Sequence, residues 1–207
     1  HDNPFSRAGY DPALQETTEA EIQDRTIREA FSSRSLSEMT DGEGRGDMRL
    51  RGAFTRGLID NDGGTDDVPE LVLFERGMND AFSLRLITGG TFEDPAFTAY
   101  KEINSRDFWD TGVAVNTTEI SGAQNLGVGA FDLSDFGVVT GQKVYGFEIY
   151  AQKMQGPDLS GLFLSSNDPD RYVTVPSSIA PSIPIPTTLP LLASALVVLG
   201  WRARARR

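Results

Sequence analysis

From Met48 onward the chain keeps returning to one pattern, a short run that alternates apolar and polar residues and then stops at glycine, asparagine or aspartate. Met48-Arg49-Leu50-Arg51-Gly52-Ala53-Phe54-Thr55 alternates, and so do Glu70-Leu71-Val72-Leu73-Phe74-Glu75 and Ala81-Phe82-Ser83-Leu84-Arg85-Leu86-Ile87. A period of two places successive side chains on opposite faces of a strand, so one face is apolar. Further runs at 97–103, 112–116, 125–132, 143–152, 161–165 and 172–175 read the same way. Gly89-Gly90, Asn104-Ser105, Gly141-Gln142 and Asn167-Asp168-Pro169 separate them. Many short strands with turn signals between them, no internal repeat and no strand–helix–strand rhythm predict an antiparallel β-sandwich over 48–175.

The flanks differ in texture. Residues 1–47 are a polar arm, with one helix predicted over about 13–31. Its sparse stripe is Leu14, Ile22, Ile27, Ala30 and Phe31, and Thr18 with Glu21 forms a capping box. Residues 32–47 read as loop. So long a structureless stretch is rare in a packed domain, so a short strand or turn is expected near 34–39. Residues 176–186 carry prolines among serines and isoleucines and predict an extended spacer. From Ile185 to Trp201 there are 17 uncharged residues, the short end of what spans a bilayer as a helix, and the span is placed at 187–201. Arg202, Arg204, Arg206 and Arg207 follow. Such residues stay on the cytoplasmic side, so the preceding chain faces outward.

Read together, Ile183-Pro184-Ile185-Pro186-Thr187, Leu189-Pro190-Leu191-Leu192, an apolar run and an arginine cluster resemble a PEP-CTERM-type sorting signal. The variant resembled has the motif Val-Pro-Leu-Pro-Ala, here with Pro184, Ile185, Pro186 and Thr187 as its core. The resemblance implies export across a bacterial inner membrane and processing by exosortase. The mature protein would be held by a single span with its N-terminus out, or released to the cell surface. The start, His1-Asp2-Asn3-Pro4, has neither a basic nor an apolar leader segment, so the expectation is a chain that begins after signal-peptide removal.

Charge and composition narrow the function classes. The net charge is −11, and without the four C-terminal arginines it is −15. That field disfavours nucleic acid, whose phosphates want the opposite sign, and it favours divalent cations. With no cysteine, thiol catalysis, zinc thiolates and iron–sulfur clusters are excluded. The single histidine is His1, which leaves no base for a Ser-His-Asp triad. No pair of carboxylates stands out by local spacing as a glycosidase pair. The expectation is a protein that is not an enzyme.

One acidic cluster has metal chemistry within reach. Asp60-Asn61-Asp62-Gly63-Gly64-Thr65-Asp66-Asp67 packs carboxylates, an amide and two glycines into eight residues. Calcium takes 6–8 oxygen ligands, and Asp60, Asp62, Asp66 and Asp67 are candidates. The twelfth place is Leu71 rather than glutamate and the flanks are strand-like, so this is not an EF-hand. The same residues also suit a solvated turn. Glu75 is a further candidate, either closing the metal site or pairing with Arg76 or Arg85. The stretch 60–77, an acidic turn leading into Pro-Glu-Leu-Val-Leu-Phe-Glu-Arg-Gly, resembles a piece of bacterial cell-surface β-sandwich modules. That resemblance implies a jelly-roll, galactose-binding-like fold and no reaction. Phe108-Trp109 beside Asp110 suits either a core position or a sugar contact through Trp109 and Asp110. Asp132 and Asp135 around Leu133-Ser134 and Phe136 read as turn caps.

These features lead to an exported surface protein, sorted by exosortase, whose sandwich associates with the envelope or an exopolysaccharide matrix. A calcium-dependent carbohydrate-binding module is a second reading. A permanently anchored accessory subunit of an integral membrane complex, docking through the helix at 13–31, is a third.

Overall fold

A computed structural model of the chain describes residues 5–7, 38–40, 47–62, 64, 68–115, 122–152 and 155–180. The strands are β1 (Phe5–Arg7), β2 (Glu38–Thr40), β3 (Met48–Ile59), β4 (Leu71–Arg76), β5 (Phe82–Gly90) and β6 (Pro95–Phe97). They continue with β7 (Lys101–Ile103), β8 (Trp109–Val115), β9 (Gln124–Phe131), β10 (Lys143–Ala151), β11 (Leu159–Leu164) and β12 (Tyr172–Val173). One sheet has the order β1-β2-β11-β4-β9-β8; the other runs β12-β3-β10-β5-β6, with β7 also on β5. Every strand pair is antiparallel. The pairing is nested: β8 with β9, β5 with β10, β4 with β11 and β3 with β12.

The period-two reading becomes the core. Leu71 and Leu73 of the first sheet, and Leu84, Leu86 and Ile149 of the second, have no exposed surface and belong to one apolar cluster. Full burial of each such side chain is worth about 1.5–3 kcal/mol. The cluster takes residues from both sheets, so the two pack face to face as a sandwich.

Four differences from the sequence reading have local causes. The run at 97–103 forms two strands rather than one. Thr98 interrupts it, its N–H donating to Leu86 O at 2.9 Å and its Oγ1 accepting from Leu86 N at 2.9 Å. A side chain thus replaces a backbone partner, and the chain bends between β6 and β7. β3 runs on to Ile59, past its expected end at Thr55, because the register slips between Val144 and Gly146 and lets extra residues bulge. The short strand or turn expected near 34–39 is present as β2 at Glu38–Thr40, which joins β11 through Leu159 opposite Thr40; what differs is β1, a strand in the polar arm where none was expected, which pairs with β2. The proline-rich stretch begins as part of the domain. Ile179 is buried and Phe92 N donates to Ser178 O at 2.8 Å, so 176–180 is not the extended spacer expected; the rest of that stretch, from 181, lies outside the described residues.

Among the described residues no helix is long and apolar enough to cross a membrane. The helix expected at 13–31, the sorting motif, the span at 187–201 and the terminal arginines all lie outside the described residues.

Candidate functional site

The acidic cluster forms where β3 ends. Asp60 N donates to Gln142 O at 3.0 Å and Gly141 N to Asp60 O at 2.6 Å, which ties the strand end to the turn before β10. Two side-chain turns follow. Asp62 N donates to Asp60 Oδ1 at 3.1 Å and Gly64 N to Asp62 Oδ1 at 2.9 Å, so the loop curls around its own carboxylates. The chain returns at Glu70, fully buried just ahead of β4, whose carbonyl accepts from Ser165 N at 2.7 Å. One carboxylate oxygen from each of Asp60, Asp62 and Glu70 lies within 4.8 Å of the others.

A cation of the chain itself stands against this group. Arg171, on a 3-10 turn at Pro169–Arg171, is 4% exposed. Its Nη2 donates to Glu70 Oε1 at 2.5 Å, its Nη1 lies 3.3 Å from Asp62 Oδ2, and its Nε donates to Ile59 O at 3.1 Å. Leu133 N donates to Glu70 Oε2 at 3.1 Å. Burial pushes the Glu70 carboxyl above its ordinary range; the bonds from Arg171 and Leu133 oppose this, and neighbouring Asp132 adds to it. Burial alone would lower Arg171, but Glu70, Asp62 and Asp60 outweigh it and push the guanidinium up, so it stays charged. The donors are hard oxygens, so the set fits calcium better than a softer metal.

The sequence-predicted candidates divide. Asp60 and Asp62 come together, and Asp66 and Asp67 lie outside the described residues. Glu75 does not close the group. It sits five positions beyond Glu70 along an extended strand, roughly 16 Å away at about 3.3 Å per residue. Nor is Arg76 or Arg85 its ion-pair partner, because Arg76 turns to Asp158 and Arg85 to Glu148. Glu75 instead accepts from Met78 N at 2.5 Å, in a turn where Gly77 (φ 100°) and Met78 (φ 53°) are both left-handed. Burial, then the negative charge of Asp80, and further that of Asp158, push its carboxyl up to about 9. It therefore carries a proton at neutral pH and is a poor metal ligand.

Strand alternation splits the aromatic pair. Phe108 is buried in the core, whereas Trp109, opening the edge strand β8, is 63% exposed. Asp110 is engaged locally: Oδ1 accepts from Gly112 N and Oδ2 from Asn125 Nδ2, each at 2.7 Å. Neighbouring strand residues face opposite ways, so Trp109 and Asp110 do not share one sugar-facing surface. Asp132 caps as expected, its Oδ1 accepting from Ser134 N at 2.7 Å, with Leu133 and Phe136 buried.

Sequence reasoning missed Glu70 and Arg171. Glu70 carried a signal, since it is the acid nearest the loop that opens a buried strand. Arg171 carried none, because it is 101 residues from its partner.

No protein-family model, curated protein or solved structure matches the chain.

Proposed function

We propose that this chain is an exported, non-catalytic surface protein whose β-sandwich associates with the cell envelope or its exopolysaccharide matrix. The observation that carries the reading is the ordered layout of 183–207: a proline motif, an uncharged helix-length run and an arginine cluster. In that reading Pro184, Ile185, Pro186 and Thr187 form the motif met by exosortase, and Arg202, Arg204, Arg206 and Arg207 fix the orientation of the span. The nested strand pairing supports a jelly-roll, galactose-binding-like sandwich, an architecture that presents faces and loops at its surface. The test is the intact mass of the protein from membrane and surface fractions of its native cells. A species ending near 181–187 is expected. A single full-length species in the membrane would overturn sorting and favour a lasting anchor on a membrane complex.

A second reading is favoured by the Asp60, Asp62 and Glu70 group, whose clustered carboxylate oxygens suit one calcium ion. Calcium there would pin the β3–β4 loop to the turn holding Arg171 and make the sandwich a calcium-dependent carbohydrate module, with Trp109 as an exposed ring for a sugar. Melting temperature with and without a chelator tests it. No shift removes the metal from the reading.

A further inference from the structure

The outward face of the second sheet carries a cluster that the sorting and calcium readings leave unused. Across β3, β10 and β5, Arg51, Glu148 and Arg85 stand directly opposite one another. The next row on the same face is Arg49, Tyr150 and Ser83. Glu148 is fully buried. It accepts from Arg51 at 3.0 and 2.7 Å, from Arg85 at 3.1 and 2.6 Å, and from the Tyr100 hydroxyl at 2.8 Å. A carboxylate offers about four lone-pair sites, and these five contacts fill them. Arg49 is left over. It reaches Glu148 only at 3.6 Å, its side chain is 57% exposed, and it is held above the Tyr150 ring, 5.5 Å from the centroid.

The aromatic rings beside it are fixed in place. Tyr100 is 41% exposed, its hydroxyl bonded to Glu148 and the Arg85 guanidinium stacked 4.4 Å from its centroid. The Tyr150 hydroxyl donates to Asp47 Oδ2 at 3.0 Å. The two rings stand 6.4 Å apart at 51°. Side chains already pinned lose little freedom when a ligand docks.

We propose that this face, centred on Arg49, Tyr100 and Tyr150, binds a carboxylated sugar of the kind presented by a uronic-acid polysaccharide. The ring faces take the C–H face of a pyranose, and the guanidinium fork takes its carboxylate through two parallel hydrogen bonds. The face does not attract polyanions by bulk charge. Asp47 and Glu102, which lies across from Ser83, bring the three arginines and Glu148 to near neutrality. Selection therefore rests on one carboxylate placed over Arg49. The proposal rests on the reading that the sandwich meets matrix glycan, and it names the class of glycan.

Calorimetric titration of the full chain with an oligogalacturonate and with its methyl ester tests this, because esterification removes the charge and keeps the ring. Binding to the acid form, with little to the ester, is expected. Arg49→Ala should weaken it roughly 10- to 100-fold, the loss of a charged hydrogen-bond pair. Arg49→Lys, which keeps charge but lacks the fork, should also weaken it. Unaltered melting temperatures show that the variants are folded. Equal affinity for acid and ester, or an Arg49→Ala variant that binds as well as the parent, overturns the proposal. Ester binding abolished by Trp109→Ala would overturn the platform and leave matrix association standing. Binding to neither oligomer also overturns the platform, and the surface-fraction mass measurement then decides matrix sorting separately.

Discussion

Among the described residues, two ion networks brace this sandwich, and they are unequal in opposite senses. At the end of β3, three carboxylates share one arginine; on the outer face of the second sheet, three arginines share one carboxylate. The first network is deep, with Asp60 and Glu70 fully buried and Arg171 4% exposed. Its centre is shielded from water, and only Asp62, its side chain 13% exposed, reaches the surface. The second has a buried centre and wet arms, with Arg51 and Arg85 side chains 25% and 21% exposed. Its surplus guanidinium remains in solvent as a point of recognition. Pairing chemistry alone does not say what a buried ion pair is for; the leftover charge and its depth do.

The largest expected effect breaks the first network. Arg171→Ala strands the acids, and urea unfolding in the presence of a chelator should show a loss of about 3–5 kcal/mol. If the site takes calcium, added calcium should restore much of it, and an equal loss with and without calcium would remove the metal from the argument. Glu148→Ala leaves three guanidiniums facing one another. They can turn toward water, so the loss should be smaller, about 2–3 kcal/mol, and no calcium effect should accompany it. For the unaltered protein, calcium at a hundred times its dissociation constant should add about 2.7 kcal/mol, read as a shift in melting temperature.

Acidity separates the second network from Glu75, a third arrangement, whose neighbours are acids. Burial works to raise the Glu148 carboxyl, but Arg51, Tyr100 and Arg85 together hold it below the ordinary value of 4.5. Its contribution is present above that value and is lost as pH falls through the lower, folded one. Glu75 has the opposite sign. Its contribution is complete below 4.5 and is lost as pH rises toward about 9. Stability should therefore decline from weakly acidic pH toward 9, with a slope no steeper than one proton, and Glu75→Gln should flatten that decline. An unchanged slope in Glu75→Gln would place the pH dependence elsewhere. The smallest effect belongs to Arg49→Ala, under about 1 kcal/mol, since an exposed ion pair contributes little. A larger loss would show Arg49 to be part of the scaffold rather than free for a ligand.

The sandwich was legible because its signal is local. Leu71 and Leu73, or Leu84 and Leu86, announce a buried face through spacing alone. So were the turn caps, since Asp132 needs only Ser134, two residues on. The split at Thr98 was hidden, because nothing in the run 97–103 says that a side chain will take the place of a backbone acceptor. The ion networks were hidden for a different reason. Glu148 meets Arg51 and Arg85 across 97 and 63 residues, and only the strand order brings them into one row. Asp60 and Asp62 were found because they lie in one loop, and Glu75 was misassigned because proximity in sequence along an extended strand still means distance in space.

The nested pairing also sets an order in time. Loop closure favours β5 with β6 as the most local pair, and among the nested pairs it favours β8 with β9 first, then β5 with β10, β4 with β11 and last β3 with β12, each enclosing the one before. A chain delivered from its N-terminus presents β3, β4 and β5 long before their partners arrive. Their leucine faces stay open until β9, β10 and β11 have followed, so assembly waits on the last third of the domain, and Ile179 closes after nearly everything else is in place.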